Sequence, residues 1–300
     1  MKVFITGGTG FVGRHLSRLM LDKGHRVTVT GLRPTQDIIH HDRFEYISAD
    51  TSQPGSWQEE LAHADVVINL AGKTIFKRWS KSYKQEMYDS RILTTRNLVA
   101  ALPQKEGIVF CSTSAIGYYG EGGDETLSED AANGEDFLAH VSIGWEEAAM
   151  AAADKGARVV ILRFGIVLGN DGGALAKMLP AFKSFAGGPL GSGKQWFPWI
   201  HMDDLLSALS FVMENKEIEG PVNFCAPHPV RNRDFAKVLG KILKRPSVMP
   251  APALMIRMVM GEMATALLAS QRAVPDKLLS HGFTFEYPEI KPALKNLIQK

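Results

Sequence analysis

Hydroxyls, glycines and one loop arginine are the residues of this chain whose types and spacing could do chemistry. The run Cys111-Ser112-Thr113-Ser114-Ala115-Ile116-Gly117-Tyr118-Tyr119-Gly120 sets three hydroxyls directly after an apolar, strand-like segment that begins at Ile108. A hydroxyl just past a strand tip can polarise a carbonyl, and a phenol close by can relay the proton. Thr113, Ser114 and Tyr118 are therefore the catalytic candidates, although the same hydroxyls could simply cap a turn. The second group stands at the start of the chain. Gly7, Gly10 and Gly13 fall at G-x-x-G-x-x-G spacing between a β-branched and aromatic run, Lys2–Thr6, and an apolar-periodic segment containing Phe11, Val12, Leu16, Leu19 and Met20. Glycines so placed free the turn, let a pyrophosphate approach bare backbone and allow close helix–strand packing. The helix start behind them would aim unpaired N–H groups at the phosphate. Gly7, Thr9, Gly10, Phe11, Val12 and Gly13 thus form a candidate dinucleotide site.

The loop after the next strand bears on which dinucleotide. A second strand, Arg26–Thr30, runs into Gly31-Leu32-Arg33-Pro34, with no carboxylate at its tip. An acidic residue there would accept from a ribose hydroxyl, whereas a basic one would pair with a 2′-phosphate. Arg33 points to NADP(H), unless it is only a solvated loop residue. Asp50 could hydrogen-bond the adenine or cap the turn Thr51-Ser52-Gln53-Pro54. The fourth strand ends at Leu70, Ala71 and Gly72, which would let backbone pass close to a ribose; Ser112 and Arg163 complete the cofactor candidates. Lys73, Lys77, Arg78, Lys81 and Lys84 form a basic stretch, either a solvated helix face or a site for an anionic substrate or cofactor phosphate.

These residues need a scaffold. Strands are expected at Lys2–Thr6, Arg26–Thr30, Phe44–Ser48, Val66–Leu70, Ile108–Ser112 and Arg158–Phe164, with helical patterns between them, notably 83–102 and 137–154. Continuous apolar runs such as Val159-Val160-Ile161-Leu162 suit strands buried on both faces of a parallel sheet. The alternation predicts an α/β fold, a Rossmann-type doubly wound parallel sheet with a smaller C-terminal α/β substrate-binding cap. The nucleotide-binding domain is placed at 1–168, with 200–226 returning to it, and the cap at 169–199 and 227–300. Asp203 and Asp204 read as N-capping carboxylates of the helix that follows them.

Composition narrows the classes. The chain has 300 residues, 45% hydrophobic and 22% charged, with a formal charge of +2, which gives no reason to expect nucleic acid. Two cysteines, Cys111 and Cys225, suggest neither a disulfide framework nor a metal site. Arg257 and Glu262 interrupt the most apolar stretch, 253–269, which argues against a membrane span. Met1 leads straight into a strand, so no signal peptide is expected and the cytoplasm is the expected compartment. The expected partner is a small molecule, and a homodimer is compatible with the chain.

At these residues the chain resembles a family. The stretches Thr6–Gly13, Asn69–Gly72 and Ser112–Gly120 are similar to extended short-chain dehydrogenase/reductases. Gly172–Pro180, Gly187–Gly193, Trp199–Leu205 and Gly282–Phe285 resemble the atypical sugar-nucleotide-epimerase-like (YfcH-like) branch with its own C-terminal domain. The resemblance spans essentially the whole chain and implies NADP(H) binding by a Rossmann domain. Three departures qualify it. Typical members carry Tyr-x-x-x-Lys on the long helix after the hydroxyls, but Asp136–Glu146 contains neither residue; His140 is a candidate substitute base. Gln195-Trp196-Phe197-Pro198 stands where epimerases place an arginine for the sugar nucleotide's diphosphate. Leu32 occupies the position where relatives often have the basic residue. Two functions follow from this reading: an NADP(H)-binding oxidoreductase or epimerase-like enzyme acting on a small carbonyl or hydroxyl substrate, or a catalytically reduced NADP(H)-binding sensor or assembly protein.

Overall fold

The fold is built on seven parallel strands. They are β1 (Lys2–Thr6), β2 (Arg26–Gly31), β3 (Phe44–Ser48), β4 (Val66–Asn69), β5 (Val109–Ala115), β6 (Arg158–Phe164) and β7 (Gly220–Phe224). In this computed structural model, which describes residues 1–299, they lie in the order β7-β6-β5-β4-β1-β2-β3. The order reverses between β1 and β4, the point at which ligands bind beyond the carboxyl ends of a doubly wound sheet.

The alternation of strand side chains decides what covers each face. Val3, Ile5, Val27, Val29, Ile68, Cys111 and Leu162 pack with Leu16 and Met20 of helix α1 (Phe11–Asp22). Phe4, Val67, Phe110, Val159 and Ile161 face the other way, onto Leu98 and Val99 of helix α2 (Lys81–Ala101) and Ala149 of helix α3 (Phe137–Met150). Burial on both faces explains why the sequence shows continuous apolar runs here rather than alternation. Ser80 caps α2 by accepting from the Tyr83 N–H at 3.1 Å, and Asp136 caps α3 through the Ala139 N–H at 2.9 Å.

Helix α4 (Gly173–Lys183) opens the cap, and α5 (Met202–Glu214) returns to the sheet, packing Leu205, Leu209 and Val212 on the α1 face. Helices α6 (Asn232–Leu243), α7 (Ala253–Met260), α8 (Met263–Leu268), α9 (Asp276–Ser280) and α10 (Ile290–Gln299) follow β7. The cap core gathers Leu175 and Phe182 of α4, Phe235 and Leu239 of α6, and Leu294 and Leu297 of α10 around Phe197 and Trp199. Leu278, Phe283 and Phe285 instead join the sheet core. After them α10 returns to the cap core.

The apolar stretch 253–269 forms two short helices broken at Gly261, and no helix among the described residues is long and apolar enough to cross a membrane. The capping expected of the aspartates before α5 is also different. His201 caps the helix by accepting from the Asp203 N–H at 3.0 Å. Asp204 turns inward and accepts from the Glu286 and Tyr287 N–H groups at 2.7 and 3.0 Å. It ties α5 to the C-terminal segment, a contact 82 residues away that no local pattern could announce.

Candidate active site at the carboxyl edge of the sheet

The glycine turn joins β1 to α1, and its three glycines have different neighbours. Gly7 has φ +68°, a conformation that side chains disfavour. A Cβ on Gly13 would lie 2.3 Å from the Gly7 carbonyl and 2.7 Å from Gly8 Cα, so only glycine lets the helix approach this closely. A Cβ on Gly10 would meet only the Gly7 carbonyl, at 3.1 Å. Space therefore lies beyond Gly10, and this N-cap offers no side chain to the first N–H groups of α1. Those groups are left for an anion. The loop Leu70-Ala71-Gly72 passes against the turn, its Leu70 carbonyl 3.0 Å from where a Gly7 Cβ would sit. The residues present fit a dinucleotide.

Behind the turn, a buried polar chain ties the strand ends together. Thr6 Oγ1 donates to Asn69 Oδ1 at 2.7 Å, and Asn69 Nδ2 donates to Thr95 Oγ1 at 2.8 Å and to Ser112 Oγ at 3.4 Å. Ser112 is thus part of the support for the cofactor loop. Arg33 is exposed, and no contact of its side chain is seen among the described residues, so the guanidinium is available to a ligand. Its backbone carbonyl accepts from the Tyr46 hydroxyl at 2.5 Å, which anchors the loop. Asp50 accepts from the N–H and hydroxyl of Ser52 at 3.0 and 2.7 Å; of its two sequence readings, the structure displays the turn cap.

A cavity of about 460 Å³ runs from Phe11 and Val12, past Thr113 and Ser114, to Trp196 and Phe197 of the cap. The strand-tip hydroxyls lie on opposite faces of β5. Thr113 pairs with Leu162, whose side chain belongs to the α1 face; its Oγ1 is buried and has no hydrogen-bond partner among the described residues. Ser114 pairs with Arg163 and donates to Glu146 Oε1 at 2.6 Å. Its proton is committed.

Arg163 does not line the cavity. Its guanidinium is buried and bidentate on Glu146, at 2.9 Å from Nε to Oε1 and 2.8 Å from Nη2 to Oε2. Nη1 donates to the Tyr119 hydroxyl at 2.9 Å and the Glu129 carbonyl at 3.0 Å. Burial opposes the charge, but the Glu146 pair more than compensates and holds Arg163 charged well beyond the ordinary arginine range. As a cofactor contact Arg163 is corrected to a positioning residue, because every face of the side chain is engaged by protein. Tyr118 is likewise outside the cavity lining; its ring lies against the Arg163 guanidinium, 3.6 Å from Cζ to centroid.

Helix α3 turns Phe137, Leu138, Val141, Ser142 and Trp145 into the cavity, with neither a tyrosine nor a lysine among them. His140 is exposed and stacked on Tyr88, 5.6 Å between centroids, outside the cavity. It does not replace the missing tyrosine. Two of the five residues of the basic stretch are paired: Lys73 with Glu86 at 2.5 Å and Lys84 with Glu262 at 2.8 Å. Gln195 lines the cavity and donates to the Leu190 carbonyl at 3.0 Å, leaving no cation at that position.

The residue that sequence reasoning passed over is Arg91. It lies on α2 among Met87, Ile92, Thr95 and Leu98, all buried, and lines the cavity beside Gly72 and Trp145. The available signal was a charged residue at an apolar-face position of an otherwise readable helix.

Comparison with known proteins agrees with this geometry. Residues 3–225 match the NAD dependent epimerase/dehydratase family, and residues 251–297 match a domain of unknown function, DUF1731. The epimerase family protein YfhF of Bacillus subtilis is 37% identical over 301 residues, covering 99% of this chain and 98% of its own. A chloroplastic SDR39U1 homolog of Arabidopsis thaliana is 37% identical over 303 residues, covering 100% of this chain and 87% of its own. The human epimerase family protein SDR39U1, solved with NADPH, superposes with a TM-score of 0.88 at 32% identity, covering all of both chains. With its glycine turn, its parallel sheet and its C-terminal domain, the chain is a member of the NAD dependent epimerase/dehydratase family, of the extended short-chain dehydrogenase/reductase type.

Proposed function

We propose that this protein binds NADP(H) at the glycine turn and transfers a hydride to or from a small carbonyl or hydroxyl compound held under the cap. The carrying observation is the cavity that runs from Phe11 and Val12, just after the glycine turn, past the strand-tip hydroxyls to the cap. Support for the cofactor comes from the fit of Gly7, Gly10 and Gly13, the available Arg33 guanidinium, and the NADPH in the human relative's structure. NADPH, when bound, supplies the hydride.

The chain's own residues then have distinct tasks. The first turn of α1 holds the pyrophosphate, and Arg33 selects the phosphorylated ribose. Thr113 lines the cavity and carries a strand-tip hydroxyl with no hydrogen-bond partner among the described residues, and it donates to the substrate oxygen. Ser114 and Glu146 hold the rim of β5 in place. Phe137, Leu138, Trp196 and Phe197 keep water from the cavity. Helix α3 offers the cavity neither a tyrosine nor a lysine, so turnover is slow relative to enzymes that have that pair. The same absence supports a second reading, an NADP(H)-binding sensor without catalysis.

The deciding experiment is transfer of deuterium from 4-deuterated NADPH to a panel of small aldehydes and ketones, with Thr113→Val alongside the parent. Deuterated alcohol from the parent and at least a tenfold slower rate from the variant support the oxidoreductase reading. Full NADPH binding with no transfer to any carbonyl supports the sensor.

A further inference from the structure

A cation withdrawn from water into a cavity wall ordinarily has an anion beside it, because an unpaired charge there loses hydration without return. Arg91 is half-buried in the wall and has no such partner among the described residues. Its Nη1 donates to the Met87 carbonyl at 2.9 Å and its Nη2 to the Lys73 carbonyl at 3.0 Å, while its guanidinium lies over the Trp145 ring, 5.1 Å from the centroid. No carboxylate reaches it within 4.0 Å among the described residues, whereas Lys73, Lys84 and Arg163 each sit on one. Burial depresses its pKa to about 10, only weakly opposed by the Tyr83 phenol, so the charge persists at neutral pH.

The surroundings say what the charge is for. Two carbonyls take one N–H each, and a guanidinium has five, so three remain. Trp145 Nε1 is a buried donor with no hydrogen-bond partner among the described residues, and Trp145 lines the same cavity. Asp136 is the carboxylate in that lining, and it is engaged at the start of α3 by the Ala139 N–H. The other cation there, Lys73, is held by Glu86. Most of the remaining wall is apolar, with Ile75, Phe76, Phe137, Leu138, Trp196 and Phe197, and its uncharged polar groups include Thr74, Gln195, Asn232 and Gln271. An apolar chamber with one uncompensated guanidinium suits a ligand with an apolar body and a single anionic end.

We infer that Arg91 is a substrate-binding residue and that the substrate is an aromatic or otherwise apolar carboxylate. The inference rests on the reading that the cap side of the cavity takes the substrate. Such a ligand would lay its body between Trp145, Phe137 and the cap aromatics and bring its carboxylate onto the free N–H groups of Arg91. A nucleotide sugar, which carries two phosphates and a polar ring, would find one cation not already paired and a mostly apolar wall.

The test is binding rather than turnover, which separates it from the question of catalysis. Cinnamate and its neutral isostere cinnamamide are titrated calorimetrically into the NADPH-saturated protein, its Arg91→Met variant and its Arg91→Lys variant. NADPH is titrated into all three beforehand, and failure of the parent to bind it counts against the proposed function, not against Arg91. The parent is expected to prefer cinnamate by about 10- to 100-fold, the size of one charge-assisted pair. Arg91→Met should lose that preference and keep its NADPH affinity, and Arg91→Lys, which retains the charge, should keep part of it. Equal affinities of the parent for the two probes would overturn the inference. So would a preference that survives in Arg91→Met, or an NADPH affinity that falls with Arg91→Met, which would give the arginine to the cofactor.

Discussion

Glu146 and Arg163 close a buried bidentate pair at the rim of β5 and β6, and Ser114 adds a third hydrogen bond to the same carboxylate. The pair links α3 to the sheet exactly where the hydroxyls emerge into the cavity. Its partners continue through Tyr119 to Asn223, whose side chain bonds the Leu127 and Val274 carbonyls. Charge burial of this kind is costly to create and more costly to half-remove.

Glu146→Ala should therefore destabilise the protein by roughly 3–5 kcal/mol, because it strands a buried guanidinium. The double variant Glu146→Leu/Arg163→Met removes both charges and should lose less than the single one. Urea unfolding of the three proteins reads the difference. A loss below about 1 kcal/mol in Glu146→Ala would show that the pair contributes little beyond a surface salt bridge.

The two glycines of the turn should fail differently. Gly10→Val puts side-chain atoms into the space above the turn, so the protein should fold and lose NADPH binding. Gly13→Ala drives a Cβ to within 2.3 Å of the Gly7 carbonyl, so stability itself should fall. Melting temperature and NADPH fluorescence titration on both variants separate the outcomes. Undiminished NADPH binding by Gly10→Val would contradict the placement of the pyrophosphate.

Arg33→Ala should weaken NADPH about 10- to 100-fold and leave NADH unchanged, because only the 2′-phosphate offers a guanidinium a charge-assisted partner. Parallel titrations with the two cofactors decide it. An equal loss for both would place Arg33 elsewhere on the ligand.

Glu129 provides a pH test. Burial raises its pKa, opposed by hydrogen bonds from the Asn223 and Lys277 N–H groups at 3.0 and 3.2 Å. A carboxyl raised in the folded state favours folding in its protonated form. Its contribution is full below the unfolded pKa of about 4.3 and is lost as pH rises through the folded value. Glu129→Gln can keep the accepting oxygen and never ionises. Its melting temperature should match the parent near pH 4 and exceed it at pH 7 and above. A gain that is largest at acid pH would reverse the sign assigned here.

Local pattern was enough for the strand–turn–helix start and for most strand positions, because β-branched runs and glycine spacing express short-range sterics. It also located the hydroxyl run and marked Arg33 and Asp50 as residues with two uses each. It could not choose between Thr113 and Ser114, since adjacent residues of a strand point to opposite faces and only packed helices say what those faces meet. Arg163 shows the limit plainly: a strand arginine at a cofactor edge has its role fixed by Glu146, seventeen positions earlier on another element. Arg91 became visible as a cavity residue only when α2 was packed beside β4 and α3. The sequence by itself determined the parallel α/β scaffold, the glycine turn and the missing Tyr-x-x-x-Lys pair. The tertiary structure decided which polar groups are already satisfied and which are left over, because burial and partnership are properties of surroundings assembled from distant parts of the chain.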